Sequence, residues 1–212
     1  MEKTTKKYPT ICICQLVIAL AMLLPLPLKA GREADAQSIL MRSLGLLQHP
    51  NGSSFDYQMK LTRFFTQSGS LVLKGKKTYG KSKKNTMWSD GTTTWKLSPD
   101  ESEVVVYRTA DLKRKPLGEL LDEVRHNCKY NLEKSQEGTY LVHVRSLDKK
   151  SDIREATVLI DARSFVPKQF RMKVGLVWVL VDIQNFRTCN YPDSFFQYQP
   201  KEHPRAKIVD RR

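Results

Sequence analysis

Phe55, Tyr57, Met59 and Leu61 alternate with Asp56, Gln58, Lys60 and Thr62, so the chain here has an apolar and a polar side at period two. That pattern predicts a β-strand with one face packed and one face wet. Alternating or β-branched runs recur at Leu71 to Tyr79, at Met87 to Leu97, and at Glu103 to Arg108. They continue at Cys128 to Glu133, Thr139 to Ser146, Glu155 to Asp161, Pro167 to Val174 and Leu176 to Phe186. Two stretches follow a helical period instead. Gln37 to Gln48 places Leu40, Leu44 and Leu47 on one side, and His49-Pro50-Asn51-Gly52 ends it. Pro116 to His126 places Leu117, Leu120, Leu121 and Val124 at i, i+3, i+4 and i+7, with Pro116 suited to the first helical position.

Short turn signals separate many of the strands: Ser68-Gly69, Asp90-Gly91, Ser98-Pro99-Asp100, Gln136-Glu137-Gly138 and Asp161 to Ser164. Connections this short join antiparallel neighbours, because a parallel crossover needs a dozen residues or more. The expected fold is therefore mainly β with α, a single antiparallel meander of roughly nine or ten strands that curls rather than staying open. The two amphipathic helices are the elements available to cover its concave apolar face. A closed eight-stranded lipocalin-like barrel is the near alternative. Pro192, Pro200 and Pro204 argue against a regular central strand in the tail.

The segment "MWSDGTTTW" carries Trp88 and Trp95 around Asp90-Gly91. Asp-Gly between β-branched and aromatic residues predicts a two-residue type I′ hairpin pairing Ser89 with Thr92 and Trp88 with Thr93. Both indoles then project from the same face, with Leu97 one step on. They either fill a core or line a cavity.

Three lysines before an apolar run from Ile11 to Leu28, followed by Ala34-Asp35-Ala36, describe a secretory signal peptide at residues 1–36, with cleavage after Ala30 as the alternative. Residues 37–212 are expected to form one exported, soluble domain. The net charge of +14 falls to +12 on cleavage at 36, since five Lys/Arg and three Asp/Glu leave with the leader. Such a balance favours acidic partners, and export makes nucleic acid an improbable one. Lys76, Lys77, Lys81, Lys83 and Lys84 form the densest basic run, read either as a membrane or partner docking patch or as a solvated strand edge. Cys128 and Cys189 survive cleavage and are candidates for a disulfide in an oxidising compartment.

Catalytic chemistry is hard to find. His49, His126, His143 and His203 are widely separated and lack metal-ligand spacing, so neither metal nor cofactor is called for. Glu101/Glu103 and Glu119/Asp122/Glu123 read as solvated charge rather than as a glycosidase pair. The chain is not expected to be an enzyme. What it offers is apolar, adaptable side chains on strands, suited to acyl chains. Tyr57, Met59, Leu61, Leu73, Trp88, Trp95, Leu97, Val142, Val144, Phe170 and Met172 are the candidate lining.

Three blocks carry a family resemblance: "KGKKTYGKSKKNTMWSDGTTTWKLSPDESEVVVY", "VLIDARSFVPKQFRMKV" and "YPDSFFQYQPKEHPRAKIVD". Their order and spacing resemble the periplasmic outer-membrane lipoprotein carriers called LolA, in a Bacteroidetes-type form. The resemblance implies a half-open barrel with helices as a lid. It implies a chaperone that takes triacylated lipoproteins from an inner-membrane lipoprotein-releasing ABC transporter, shields their acyl chains, and passes them to an outer-membrane acceptor. Trp95 matches the family's hairpin tryptophan, which implies a cavity role for Trp88 and Trp95, and the leucines and Val124 of the two helices would form the lid. One departure is plain: family members often carry a Lys-Arg-Pro whose arginine holds the lid, whereas Lys81-Ser82-Lys83-Lys84-Asn85 has neither arginine nor proline. An envelope sensor or regulatory lipid-binding module on the same half-barrel is the alternative.

Overall fold

The computed structural model describes residues 29–61, 65–133, 137–149, 151, 154–174 and 176–212. The expected signal peptide up to residue 28 lies outside them. Helix α1 spans Lys29–Leu47, and β1 (Ser53–Lys60), β2 (Thr66–Lys74), β3 (Lys77–Ser82), β4 (Thr86–Ser89), β5 (Thr93–Leu97) and β6 (Glu103–Arg108) follow. Helix α2 (Leu117–His126) leads into β7 (Cys128–Glu133), β8 (Thr139–Ser146), β9 (Glu155–Asp161), β10 (Pro167–Val174) and β11 (Val177–Thr188). Two short 3-10 turns, Asp193–Phe196 and Pro200–Glu202, precede β12 (Lys207–Asp210).

The strands make one unclosed curled sheet in the order β12-β6-β5-β4-β3-β2-β1-β11-β10-β9-β8-β7. Two meanders, β1 to β6 and β7 to β11, are sewn together by the antiparallel β1–β11 pair, with Tyr57 opposite Ile183 and Met59 opposite Val181. The connection through α2 carries the chain from one end of the sheet to the other.

Side-chain alternation divides the sheet into two packed faces. The cross-strand row Leu73, Thr78, Ser89, Thr94 points to the concave, helix side. The neighbouring row Val72, Tyr79, Trp88, Trp95, Val106 points outward. On the concave side Ala36, Leu40, Leu44 and Leu47 of α1 recur at helical spacing and bury against Val142, Val144, Val158 and Phe170. On the outer side Trp88, Leu97, Val104 and Val106 bury under Tyr198 and Ala206 of the C-terminal segment. Among the described residues no helix is long and apolar enough to cross a membrane.

Three expectations change. The run Leu71 to Tyr79 is not one strand: Gly75, at φ +57°, turns β2 back into β3. The prolines keep the tail out of the sheet interior as expected, and β12 lies beyond the last of them, joining the edge at β6 as the only parallel pair in the described sheet. The tryptophan hairpin closes two residues wider than Asp-Gly predicts, with Ser89 opposite Thr94 and Trp88 directly opposite Trp95. The Asp90 carboxylate accepts from the N–H groups of Thr92 (2.9 Å) and Thr93 (2.7 Å), a side-chain-mimicked turn that outcompetes the type I′ loop. Finally, Cys128 and Cys189 are not joined by a disulfide. They sit on β7 and just past β11, four inter-strand steps of about 4.8 Å apart and at opposite strand ends, beyond disulfide reach.

Candidate functional site

The concave face is the place where an apolar ligand could be held, and its covering is uneven. Leu73, Val142, Val144 and Phe170 are buried beneath the helices. Tyr57, Met59 and Met172 share that face but are only half-buried. Tyr57 packs on Gly69, where a β-carbon would come within 2.3 Å of the Lys81 carbonyl and 2.8 Å of the phenol oxygen, so glycine is required at that position. Burial pushes the Tyr57 phenol up from its ordinary pKa, and Gln67 Nε2 stands 3.5 Å from its oxygen. At the free edge, an open pocket of about 330 Å³ lies beneath Leu120 and Val124 of α2, beside Cys128 and Ser146.

The two helices are held differently. In α1 the stripe Ala36, Leu40, Leu44 and Leu47 is at most 1% exposed, and Ser53 Oγ donates to the Leu47 carbonyl at its end. Helix α2 has ten residues, short for a helix to persist without tertiary support. Leu117, Leu121 and Val124 join the core, while Leu120 faces the edge pocket.

Polar contacts do the rest of the fastening. Gln48 Nε2 donates to the carbonyls of Gly75 (3.2 Å) and Gly118 (3.0 Å), tying the end of α1 to the β2–β3 turn and to α2. Arg125 Nε donates to Gln48 Oε1 at 2.8 Å. The Gly118 N–H donates to Thr78 Oγ1, and the Lys76 ammonium meets Asp122 at 3.1 Å. Asp122, with Glu119 beside it, raises the Lys76 pKa. Tyr130 OH donates to the Val124 carbonyl at 2.7 Å, fastening the other end of α2. Gly118 is packed so closely on the β2–β3 turn that a β-carbon would fall 2.4 Å from the Lys76 carbonyl.

Several sequence-derived assignments to this face are corrected. Trp88, Trp95 and Leu97 lie on the outer face, not in the concavity. Period-two patterning puts the two indoles on one side without saying which, and the choice is made by Ser89 and Thr94. Their buried hydroxyls bond each other (3.1 Å) and Thr109 (3.0 Å from Thr94), which satisfies polar groups beneath the start of α2. The C-terminal aromatics then cover the other side: Trp88 packs edge-on to Tyr198 at 5.5 Å, and Tyr79 to Phe195 at 5.0 Å. Leu61 lies past the end of β1 and is 36% exposed.

The lysine run is also divided. Lys77 pairs with Asp193 (2.7 Å) and Lys76 with α2, so the near end of the run fastens the fold, while Lys81, Lys83 and Lys84 are exposed. His143 Nε2 sits 3.0 Å from Glu155 on the outer face. Gln48, Thr78, Gly118 and Arg125 carry no local sequence signal for their fastening role.

A family model described as outer membrane lipoprotein carrier protein LolA matches residues 26–176. Among solved structures, an uncharacterized conserved protein from Thermus thermophilus is similar in fold, at 14% identity and a TM-score of 0.56, over 84% of this chain and 99% of that one. A LolA superfamily protein from Nitrosomonas europaea is similar at 10% identity and a TM-score of 0.45, over 77% and 97%. The Mycobacterium tuberculosis lipoprotein LppX is similar at 13% identity and a TM-score of 0.45, over 76% and 97%. No curated protein matches the chain.

Proposed function

The chain belongs to the outer membrane lipoprotein carrier (LolA) family, and from that premise we propose that it binds the acyl chains of lipoproteins on its concave face and carries them across the periplasm. The observation that supports this reading is the contrast on that face: α1 is locked into the core, α2 is short and held by polar contacts, and Tyr57, Met59 and Met172 are left half-covered beside them. Displacing α2 takes Leu117, Leu121 and Val124 out of the core and opens that space to an incoming chain, while α1 stays over Val142 and Val144. Each methylene buried there is worth about 0.8 kcal/mol, enough to offset the loss of the helix's own apolar contacts. Methionines suit an irregular chain because the thioether adapts its packing. Loading needs no covalent step.

The donor in this reading is an inner-membrane lipoprotein-releasing transporter and the recipient an outer-membrane acceptor, with the carrier acting as a monomer. We place the leader's end at Ala30 rather than Ala36, since Ala36 is fully buried against the core of α1 and removal of residues 1–36 would take it away.

The test is photocrosslinking in the periplasm from position 59, with positions 60 and 95 as outward-facing controls and mass spectrometry of the adducts. Acylated N-terminal lipoprotein peptides at 59 alone support a carrier. A single unlipidated protein partner at 59 favours the sensor alternative, and adducts at 95 but not at 59 would sink the concave-face assignment.

A further inference from the structure

The two rims of the half-barrel differ in kind. One holds the β2–β3 turn, the Asp90-Gly91 loop and the start of α2, where lysines are paired with Asp193, Glu119 and Asp122. At the other rim lie the ends of β1, β8 and β10 and the starts of β9 and β11. Among the described residues the most exposed large hydrophobics are Leu61, Leu147, Leu176, Val177, Trp178 and Ile208, and all but Ile208 sit on this second rim. Leu176 is 95% exposed at the β10–β11 tip. An isolated exposed leucine needs no explanation, but a run of three at a hairpin tip, with others at the same level, does.

The charge around this tip is basic. Arg171 places its guanidinium 4.6 Å over the Trp178 ring, and Lys173 is the direct cross-strand partner of Trp178. Lys83 and Lys84 stand exposed on the β3–β4 turn of the same rim, Lys84 over the Phe65 ring at 4.5 Å. The acids on this rim are Asp182, bonded to Lys60 and Gln169, Glu155, bonded to His143 and opposite Lys173, and Asp148 beside Leu147, so the cations outnumber them around the tip. An apolar wedge including a tryptophan, collared by cations, matches the chemistry of a bilayer interface, where the indole sits at headgroup level and the cations meet phosphates.

We infer that the β10–β11 tip docks the protein transiently on an anionic phospholipid surface, with Leu176 and Trp178 entering the interface and Arg171 and Lys173 binding lipid phosphates. The tip lies outside the concave face, so this docking stands or falls independently of acyl-chain binding. It goes beyond carriage by giving the molecule a defined approach: the rim faces the membrane, and the end holding the β2–β3 turn and the start of α2 faces away.

The experiment is flotation of the full mature chain with vesicles of equal parts phosphatidylglycerol and phosphatidylethanolamine, beside vesicles of phosphatidylcholine alone, across a salt series. Wild type is expected to float with the anionic vesicles at low salt. Leu176→Asp is expected to weaken this about tenfold, since a charge replaces an inserting side chain. Leu176 touches little of the fold, and a circular-dichroism melt checks that the variant is intact. Arg171→Gln with Lys173→Gln should flatten the salt dependence, and Ile208→Asp, off the rim, should change nothing. Equal flotation of wild type and Leu176→Asp would overturn the proposal, as would binding that ignores lipid charge. Absence of flotation combined with crosslinking of a protein at position 176 would overturn it in favour of a protein dock.

Discussion

Trp88 and Trp95 stand directly opposite each other across the β4–β5 hairpin, on the face of the sheet turned away from both helices. Their neighbours are Val104, Val106 and the returning tail, so they hold the tail to the sheet. Trp88→Ala is expected to destabilise the protein by about 3–5 kcal/mol, read as a lower midpoint in urea, while leaving the adducts formed from position 59 unchanged.

Asp193 ties the tail to the β2–β3 hairpin through Lys77 at 2.7 Å and Lys74 at 2.9 Å, and Lys74 also donates to the Tyr191 carbonyl. The two ammonium groups hold the Asp193 carboxyl down to about 2. A depressed folded-state pKa stabilises above the unfolded value near 3.8 and is lost as pH falls through about 2. The tail is therefore expected to stay fastened at pH 5 and to loosen between about pH 4 and 2, and in Asp193→Asn to be loosened already at neutral pH. Limited proteolysis after Tyr191 against pH reads this directly, and identical profiles for both proteins would remove the clasp.

Gln48 bridges both helices to the β2–β3 turn with three hydrogen bonds. Gln48→Ala is expected to raise amide exchange in α2 about tenfold, the equivalent of roughly 1–1.5 kcal/mol of lost hydrogen bonding, with α1 unaffected. Gly118→Ala should free α2 further, since its β-carbon meets the Lys76 carbonyl. Exchange that rises equally in α1 and α2 would show that the two helices open as one.

Met59 shares the concave face with Tyr57 and is half-buried. Met59→Asp is expected to weaken binding of a fluorescent fatty acid about tenfold through lost burial and an added charge, whereas Lys60→Asp, one residue along and outward, should not. Titration of the fatty acid into each variant separates the two.

The strands were legible because their patterns are local. Phe55 to Leu61 alternates without interruption, and Cys128–Glu133 and Thr139–Ser146 begin and end where the sequence suggested. The buried faces of both helices were legible from leucine spacing, but α1 begins at Lys29 rather than at Gln37, because its first turns carry no leucine period. Inside and outside were not, because alternation is symmetric between faces. For β4 and β5 the deciding groups are Thr109, fifteen residues after Thr94, and Tyr198, more than a hundred after Trp88. The fastening of α2 was illegible for the same reason: Gln48, Gly75 and Gly118 meet across 70 residues of chain, and none of them breaks a local rule.

The chain's three tryptophans, Trp88, Trp95 and Trp178, all lie off the concave face. Intrinsic fluorescence is thus blind to cargo and sensitive to the molecule's exterior: the hairpin pair registers whether the tail is seated, and Trp178 registers what the rim touches. A loaded and an empty protein should have superimposable emission spectra, so a spectral change seen on adding a lipid reports an event on the outside of the barrel.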